Sequence, residues 1–280
     1  MNQVARAWGF LSIASITLIG IGHHFGGRNG LLLALIGVLA ANSLIYFYED
    51  RRILHQFLGQ VVEGQDPFGL NETVRRLSVK ARIAPPRIVI VADTAPQAAA
   101  LGRNVSSGTL ILTEGLIRKL TPAELEAVLA YQIASIRTSN TLAFAVGSFV
   151  SAGLLGLGET LDVFLRILIV EKKNENMPVT QIFTRLLTPM IGAVLSLSVR
   201  QSAYLAADDL ASHLLGDSKP LASALWKLNC FSNTQPFATS IASAHIFIVS
   251  PLNPKKWARR AAAQPQIETR IRRLIGYYPI

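Results

Sequence analysis

A single cysteine, Cys230, occurs in 280 residues, so the chain can form neither an internal disulfide nor a thiolate zinc site. It reads as a small buried apolar thiol. Charge is scarce as well. Only 16% of residues are charged while half are hydrophobic, a balance too apolar for an ordinary soluble domain of this length. Acidic residues are the rarer sign, 17 against 27 Lys and Arg, for a net charge of +10. Such an excess suits anionic lipid or nucleic acid. No aromatic-plus-basic binding motif accompanies it, so no nucleic-acid partner is expected and anionic lipid headgroups are the better match. The chain also lacks internal repeats and low-complexity stretches.

What it has is long apolar runs. Val4 to Gly22 and Leu31 to Tyr48 each approach the roughly 20 residues of a bilayer-spanning helix. The first has Arg6 near its start, lacks a small-residue cleavage site and is followed by a second run after the polar turn His23 to Asn29, so it is predicted to be a retained anchor. A third run, Leu142 to Leu157, is rich in Gly, Ala and Ser, which suits close helix packing in lipid. A fourth, Ile182 to Val199, carries Arg185 and Pro189; both are tolerable in a membrane helix. Because the last two runs are short, a buried-core reading of them stays open. Residues 159–181 begin apolar and end polar (Glu171, Lys172, Lys173), which predicts a membrane-surface helix followed by a turn. Four spans put both termini and residues 51–141 on one side. Arg51, Arg52 and Arg200 directly after spans assign that side to the cytoplasm, with Arg166, Lys172 and Lys173 counting against it.

Outside the spans, Asn71 to Ile83 is an amphipathic pattern that Pro85 and Pro86 end. Arg87 to Ala92 is β-branched and predicts a strand; Gly102, Arg103 and Asn104 predict a turn; Thr109 to Thr113 predicts a second strand. Thr121 followed by Pro122 and Glu124 is a capping-box helix start, with the helix running to about Ile136. The expected fold class is therefore α+β: a mainly helical multi-pass membrane protein with about four transmembrane helices and a domain with a small β-sheet. Its parts are residues 1–50 (two spans), 51–141 (first part of the domain), 142–199 (a transmembrane hairpin) and 200–280 (second part).

The order of these parts, with Gly102-Arg-Asn before a strand, Thr121-Pro-Ala-Glu-Leu-Glu-Ala-Val-Leu-Ala, Tyr204-Leu-Ala-Ala-Asp208, Ala244-His-Ile-Phe-Ile-Val-Ser-Pro251 and Glu268-Thr-Arg-Ile-Arg-Arg-Leu274, resembles the M48 zinc metallopeptidases, in particular the HtpX membrane proteases. The resemblance spans nearly the whole chain and implies a cytoplasmic zincin-like domain. That family grips zinc with two His on one helix at i and i+4, a third carboxylate ligand on a second helix, and a Glu acting as general base. The matching positions here are Tyr131 and Ser135 for the imidazoles, Gln132 for the base and Tyr204 for the third ligand; Asp208 is retained, and a late His-Pro pair reads Gln264-Pro265. Phenols, an alcohol and an amide are poor zinc ligands, so no metal and no cofactor is expected, and Gln132 has no basic group to take a proton.

No replacement site is legible. His213 follows Asp209 by four residues, but two ligands do not make a zinc site; His23, His24, His55 and His245 lie apart in sequence; and Ser135 has no base at recognisable spacing. His245 falls on a family position outside the motif and is expected to be structural. Tyr131 and Tyr204 are predicted to face one another with their hydroxyls on Asp208 or Gln132. The resemblance further implies a strand that pairs with extended substrate, taken as Thr109, Leu110, Ile111, Leu112 and Thr113. The function expected is that of a catalytically inactive pseudoprotease in the inner (cytoplasmic) membrane. It would bind membrane proteins, an active protease or a secretion complex, alone or as a homo- or hetero-oligomer. The alternatives are a membrane-bound zinc endopeptidase in protein quality control and a purely structural subunit.

Overall fold

The computed structural model describes residues 3–56, 60–61, 66, 68–102, 104–138, 140–170, 181–240, 242–251 and 264–278. Helix α1 (Gln3–Gln56) is broken at Gly27, whose φ of 54° and ψ of −136° a helix cannot accommodate; only glycine visits such angles without steric cost. The two arms turn back on one another there. Asn42 Nδ2 donates to Ser15 Oγ at 3.3 Å, and Gly22 and Gly30 meet so closely that a Cβ on Gly30 would stand 2.1 Å from Gly22 O. The two predicted spans and their polar turn are thus one helical hairpin. Its outer faces expose Ile13, Ile16, Leu18, Leu33 and Leu39.

Helices α5 (Asn140–Val170) and α6 (Ile182–Ser198) form a second apolar pair. By length and composition, the segments Trp8–Ser43 and Asn140–Leu165 are long and apolar enough to cross a membrane, while Ile182–Leu195 is shorter. At 1.5 Å per residue α6 spans roughly 25 Å, somewhat less than a hydrocarbon core of about 30 Å. The helix predicted to begin after the third span is not a separate element, because α5 runs on without interruption to Val170. Asp162 of α5 is buried against α6, where Oδ1 accepts from Phe183 N at 2.8 Å and Oδ2 from Thr184 N at 3.0 Å and Thr184 Oγ1 at 2.7 Å. The carboxylate therefore satisfies the open N–H groups that begin α6, and the helix needs no surface turn to shelter it. Gly158 lets the helices touch, since a Cβ there would lie 3.0 Å from Thr184 Cα. The polar stretch 171–176 lies outside the described residues.

The sheet has four strands, β1 (Gln60–Val61), β2 (Arg87–Val91), β3 (Ala98–Gly102) and β4 (Gly108–Thr113), in the order β1-β2-β4-β3. β2 and β4 are parallel; the other two pairings are antiparallel. The sequence reading missed β3, so the predicted turn around 102–104 is in fact the β3–β4 hairpin connection. There Gly102 takes φ 151° and Asn104 Oδ1 accepts from Ser106 N at 3.0 Å. This extra strand corrects the expected groove strand: residues 109–113 pair with β2 on one side and β3 on the other, so their main-chain groups are already used. The edge belongs to β3.

Helices α2 (Leu70–Ala81), α3 (Glu114–Lys119), α4 (Pro122–Arg137), α7 (Gln201–Leu215), α8 (Lys219–Thr234) and α9 (Ile267–Ile275) complete the fold. The capping box that opens α4 is formed: Glu124 N donates to Thr121 Oγ1 at 3.4 Å and Thr121 N to Glu124 Oε2 at 2.9 Å. From Leu125 to Ile136 α4 is buried on all sides apart from a half-buried Glu126, which marks it as the central helix of the core. Leu77, Leu112, Leu129, Ile133, Leu225 and Ile271 share one apolar cluster, so residues on both sides of the α5–α6 pair build the same core.

Candidate site between α4, α7 and α9

A helical rise returns the same face every three to four residues. Tyr131 and Ser135 thus stack along one side of α4, and Tyr204 and Asp208 along one side of α7. All four, with Gln132, are buried. The centre of the arrangement is a residue the sequence reading passed over. Arg270 of α9 is fully buried and grips Asp208 with two hydrogen bonds, Nε to Oδ2 at 2.9 Å and Nη2 to Oδ1 at 2.7 Å. Its Nη1 donates to Ile248 O at 2.6 Å, and the guanidinium carbon stands 4.9 Å from the centroid of the Tyr131 ring.

This geometry answers the cost of burying charge. A guanidinium out of water is tolerable only when its donors are met by a counter-ion and further acceptors, and here the fork is matched bidentately. Burial pushes the Asp208 carboxyl up, while the Arg270 charge and hydrogen bonds pull it back. Burial also works against the Arg270 charge, but Asp208 and the flanking phenols raise its pKa overall. The Tyr131 phenol is raised by burial despite the pull of Arg270. That of Tyr204 is raised by burial and by Tyr131.

The expected partner of the Tyr204 hydroxyl is corrected. Tyr204 Oη donates to His245 O at 3.0 Å, not to Asp208 or Gln132, because Arg270 has already taken the carboxylate. Tyr131 offers its ring to Arg270. Half-buried Gln264 donates from Nε2 to His245 O at 3.3 Å and to Phe247 O at 2.6 Å. Gln132 Nε2 is buried with no hydrogen-bond partner.

Buried His245 holds the outer wall. Its Nε2 lies 3.0 Å from Phe144 O; a carbonyl only accepts, so this nitrogen carries the proton. The ring meets Phe144 edge-on at 5.6 Å, and Phe144 lies 5.4 Å from the Tyr204 ring. Burial lowers the imidazole to about 4, so it is neutral at neutral pH. The other predicted candidates lie elsewhere. Asp209 pairs with exposed Arg273 at 2.7 Å and not with His213; His23 and His24 sit at the α1 turn; the side chain of His55 lies outside the described residues.

Zinc does not fit the residues present at the family's ligand positions. Two phenols held protonated by burial and an alcohol are weak donors, Tyr204 has already spent its proton on His245 O, and a buried guanidinium beside Tyr131 repels a cation. Among the described residues no three His, Cys, Asp or Glu converge. Arg270 carried a faint signal: on α9 it shares a face with Ile267 and Leu274, at spacings of three and four.

No protein-family model matches the chain. It is 30% identical over 286 residues to the Protease HtpX homolog of Pelotomaculum thermopropionicum, covering 98% of both chains. It is 28% identical to Protease HtpX of Legionella pneumophila over 276 residues, 96% of this chain and 98% of that one. A Protease HtpX homolog of Pyrococcus furiosus is 29% identical over 92% of this chain and 90% of its own. The crystal structure of S. mikatae Ste24p shares the fold with a TM-score of 0.54 at 16% identity, over 94% of this chain; this chain spans 63% of that one. With sequence likeness running from end to end, the chain belongs to the HtpX protease family.

Proposed function

We propose that this chain is a non-catalytic member of its family, a membrane-embedded binding, scaffolding or regulatory protein. The observation that carries the reading is that the site's carboxylate, one of its phenols and the Gln264 amide are already committed to partners within the chain. Asp208 is held by Arg270, Tyr204 and Gln264 are held by main-chain carbonyls, and Gln132 offers an amide where hydrolysis needs a base. Without a metal to lower its pKa, water is a poor nucleophile at neutral pH.

Partners of this reading are membrane proteins, including an active protease or a secretion complex, met through the apolar faces of α1 and α5 on which Leu33, Leu39, Leu157 and Phe164 lie exposed. The +10 charge suits anionic lipid headgroups. The site then lies on the cytoplasmic side of the inner membrane, where Arg200 follows α6.

A second reading, a membrane-bound zinc endopeptidase, is favoured by the relatives' names and by the full-length likeness to them. One experiment separates the two: metal analysis of the detergent-purified full chain, with cleavage of unfolded casein measured in parallel. The non-catalytic reading expects neither zinc nor cleavage. Stoichiometric zinc with cleavage lost on chelation would establish the endopeptidase instead.

A further inference from the structure

Sheet edges present unpaired N–H and C=O groups that recruit extended chain, and here the outer edge of β3 is already occupied from within. After the turn Ala244–Ile246 the chain extends at Phe247, φ −76° and ψ 154°. It then runs antiparallel to β3, with Phe247 opposite Ala99 and Ile248 N donating to Ala98 O at 3.0 Å. Ala98, Ala99 and Ala100 are fully buried, and their small side chains leave the main chain open to close approach.

The carbonyls of this segment are held by the candidate site. Tyr204 Oη and Gln264 Nε2 both donate to His245 O, Gln264 Nε2 also to Phe247 O, and Arg270 Nη1 to Ile248 O. Two of these three donors stand at positions where this chain departs from its family's pattern. We infer that residues 245–248 form a self-strand latched to the β3 edge by Tyr204 and Gln264, so that another extended peptide can add to this edge only when the latch opens. The occupant in trans would be a short apolar segment resembling the self-strand, Ala-His-Ile-Phe-Ile-Val-Ser. This goes beyond the non-catalytic reading and stands whether or not zinc is found.

The test uses detergent-purified full chain in a Cys230→Ser background and a fluorescent peptide of sequence Ala-His-Ile-Phe-Ile-Val-Ser as probe. The unaltered latch is compared with Tyr204→Phe, Gln264→Ala. Removing both donors is expected to speed amide exchange across 245–249 about tenfold and to tighten probe binding by a similar factor. A second protein adds Ala99→Cys and Phe247→Cys to the open latch. The pairing pattern makes these a non-hydrogen-bonded pair with Cα atoms about 4.5 Å apart, which a disulfide can bridge. Reduced, this protein binds the probe; oxidised, the same folded sample loses it. Equal probe affinity with and without the latch, unchanged exchange in the open variant, or binding that survives oxidation would each overturn the proposal.

Discussion

Asp208 and Arg270 hold opposite charges in a space closed to water, and each is tolerable only because of the other. Asp208→Ala leaves a fully buried guanidinium without its counter-ion and is expected to cost about 3–5 kcal/mol, read as lost thermal stability in detergent. Replacing both residues by apolar ones of similar volume is expected to restore most of that loss. His245 makes a pH-dependent contribution whose sign follows from its depressed value. The unfolded imidazole titrates near 6.5 and the folded one at about 4, so between these values the unfolded chain binds more protons. The stability is complete above pH 6.5 and falls by up to about 3 kcal/mol as pH drops toward 4. His245→Gln is expected to flatten that slope in unfolding curves recorded from pH 7 to 4. At this scale the substituted family positions were legible by alignment of motifs alone. Their hydrogen-bond partners were not, because Arg270 stands beside Arg272 and Arg273 in the sequence and its burial depends on how α9 docks.

Among the elements, α4 was the most readable, since a cap, a proline and a glutamate at fixed spacing dictate its start whatever it packs against. Thr121→Ala removes the acceptor for Glu124 N and is expected to destabilise the fold by about 1 kcal/mol, measured by chemical denaturation. Helix α6 begins with no such local signal, because its cap arrives from α5. Asp162→Ala is therefore expected to loosen the α5–α6 pair by about 1–2 kcal/mol and to raise amide exchange at Phe183 and Thr184 specifically. Strand β3 escaped the sequence reading for a physical reason. Gln97-Ala-Ala-Ala-Leu-Gly has no β-branched residue and is extended only because partners on both sides pair with it, a tertiary preference that local propensity does not carry.

Across the whole molecule, the hydropathy pattern and the order of spans gave the architecture, and likeness to HtpX proteases over the full length agrees with it. The number of crossings was harder to read, since α1 folds back at one glycine and α6 is short. Cys230, expected to be buried, is instead exposed on α8, and as the only thiol in the sequence it provides a direct probe of sidedness. A membrane-impermeant maleimide is expected to leave it unmodified in intact cells and to label it after permeabilisation; labelling of intact cells would reverse the proposed orientation.

The 62 residues that separate Arg270 from Asp208 also bear on how the protein is made. A ribosome releases helix α7, carrying Asp208, well before it releases α9, and no other described cation bonds to that carboxylate. While those residues are made, the nascent domain holds an acid destined for its interior but still lacking its mate. Closure of the core is thereby deferred until α9 has emerged, and a product truncated between α7 and α9 would present quality-control proteases with a half-sealed structure.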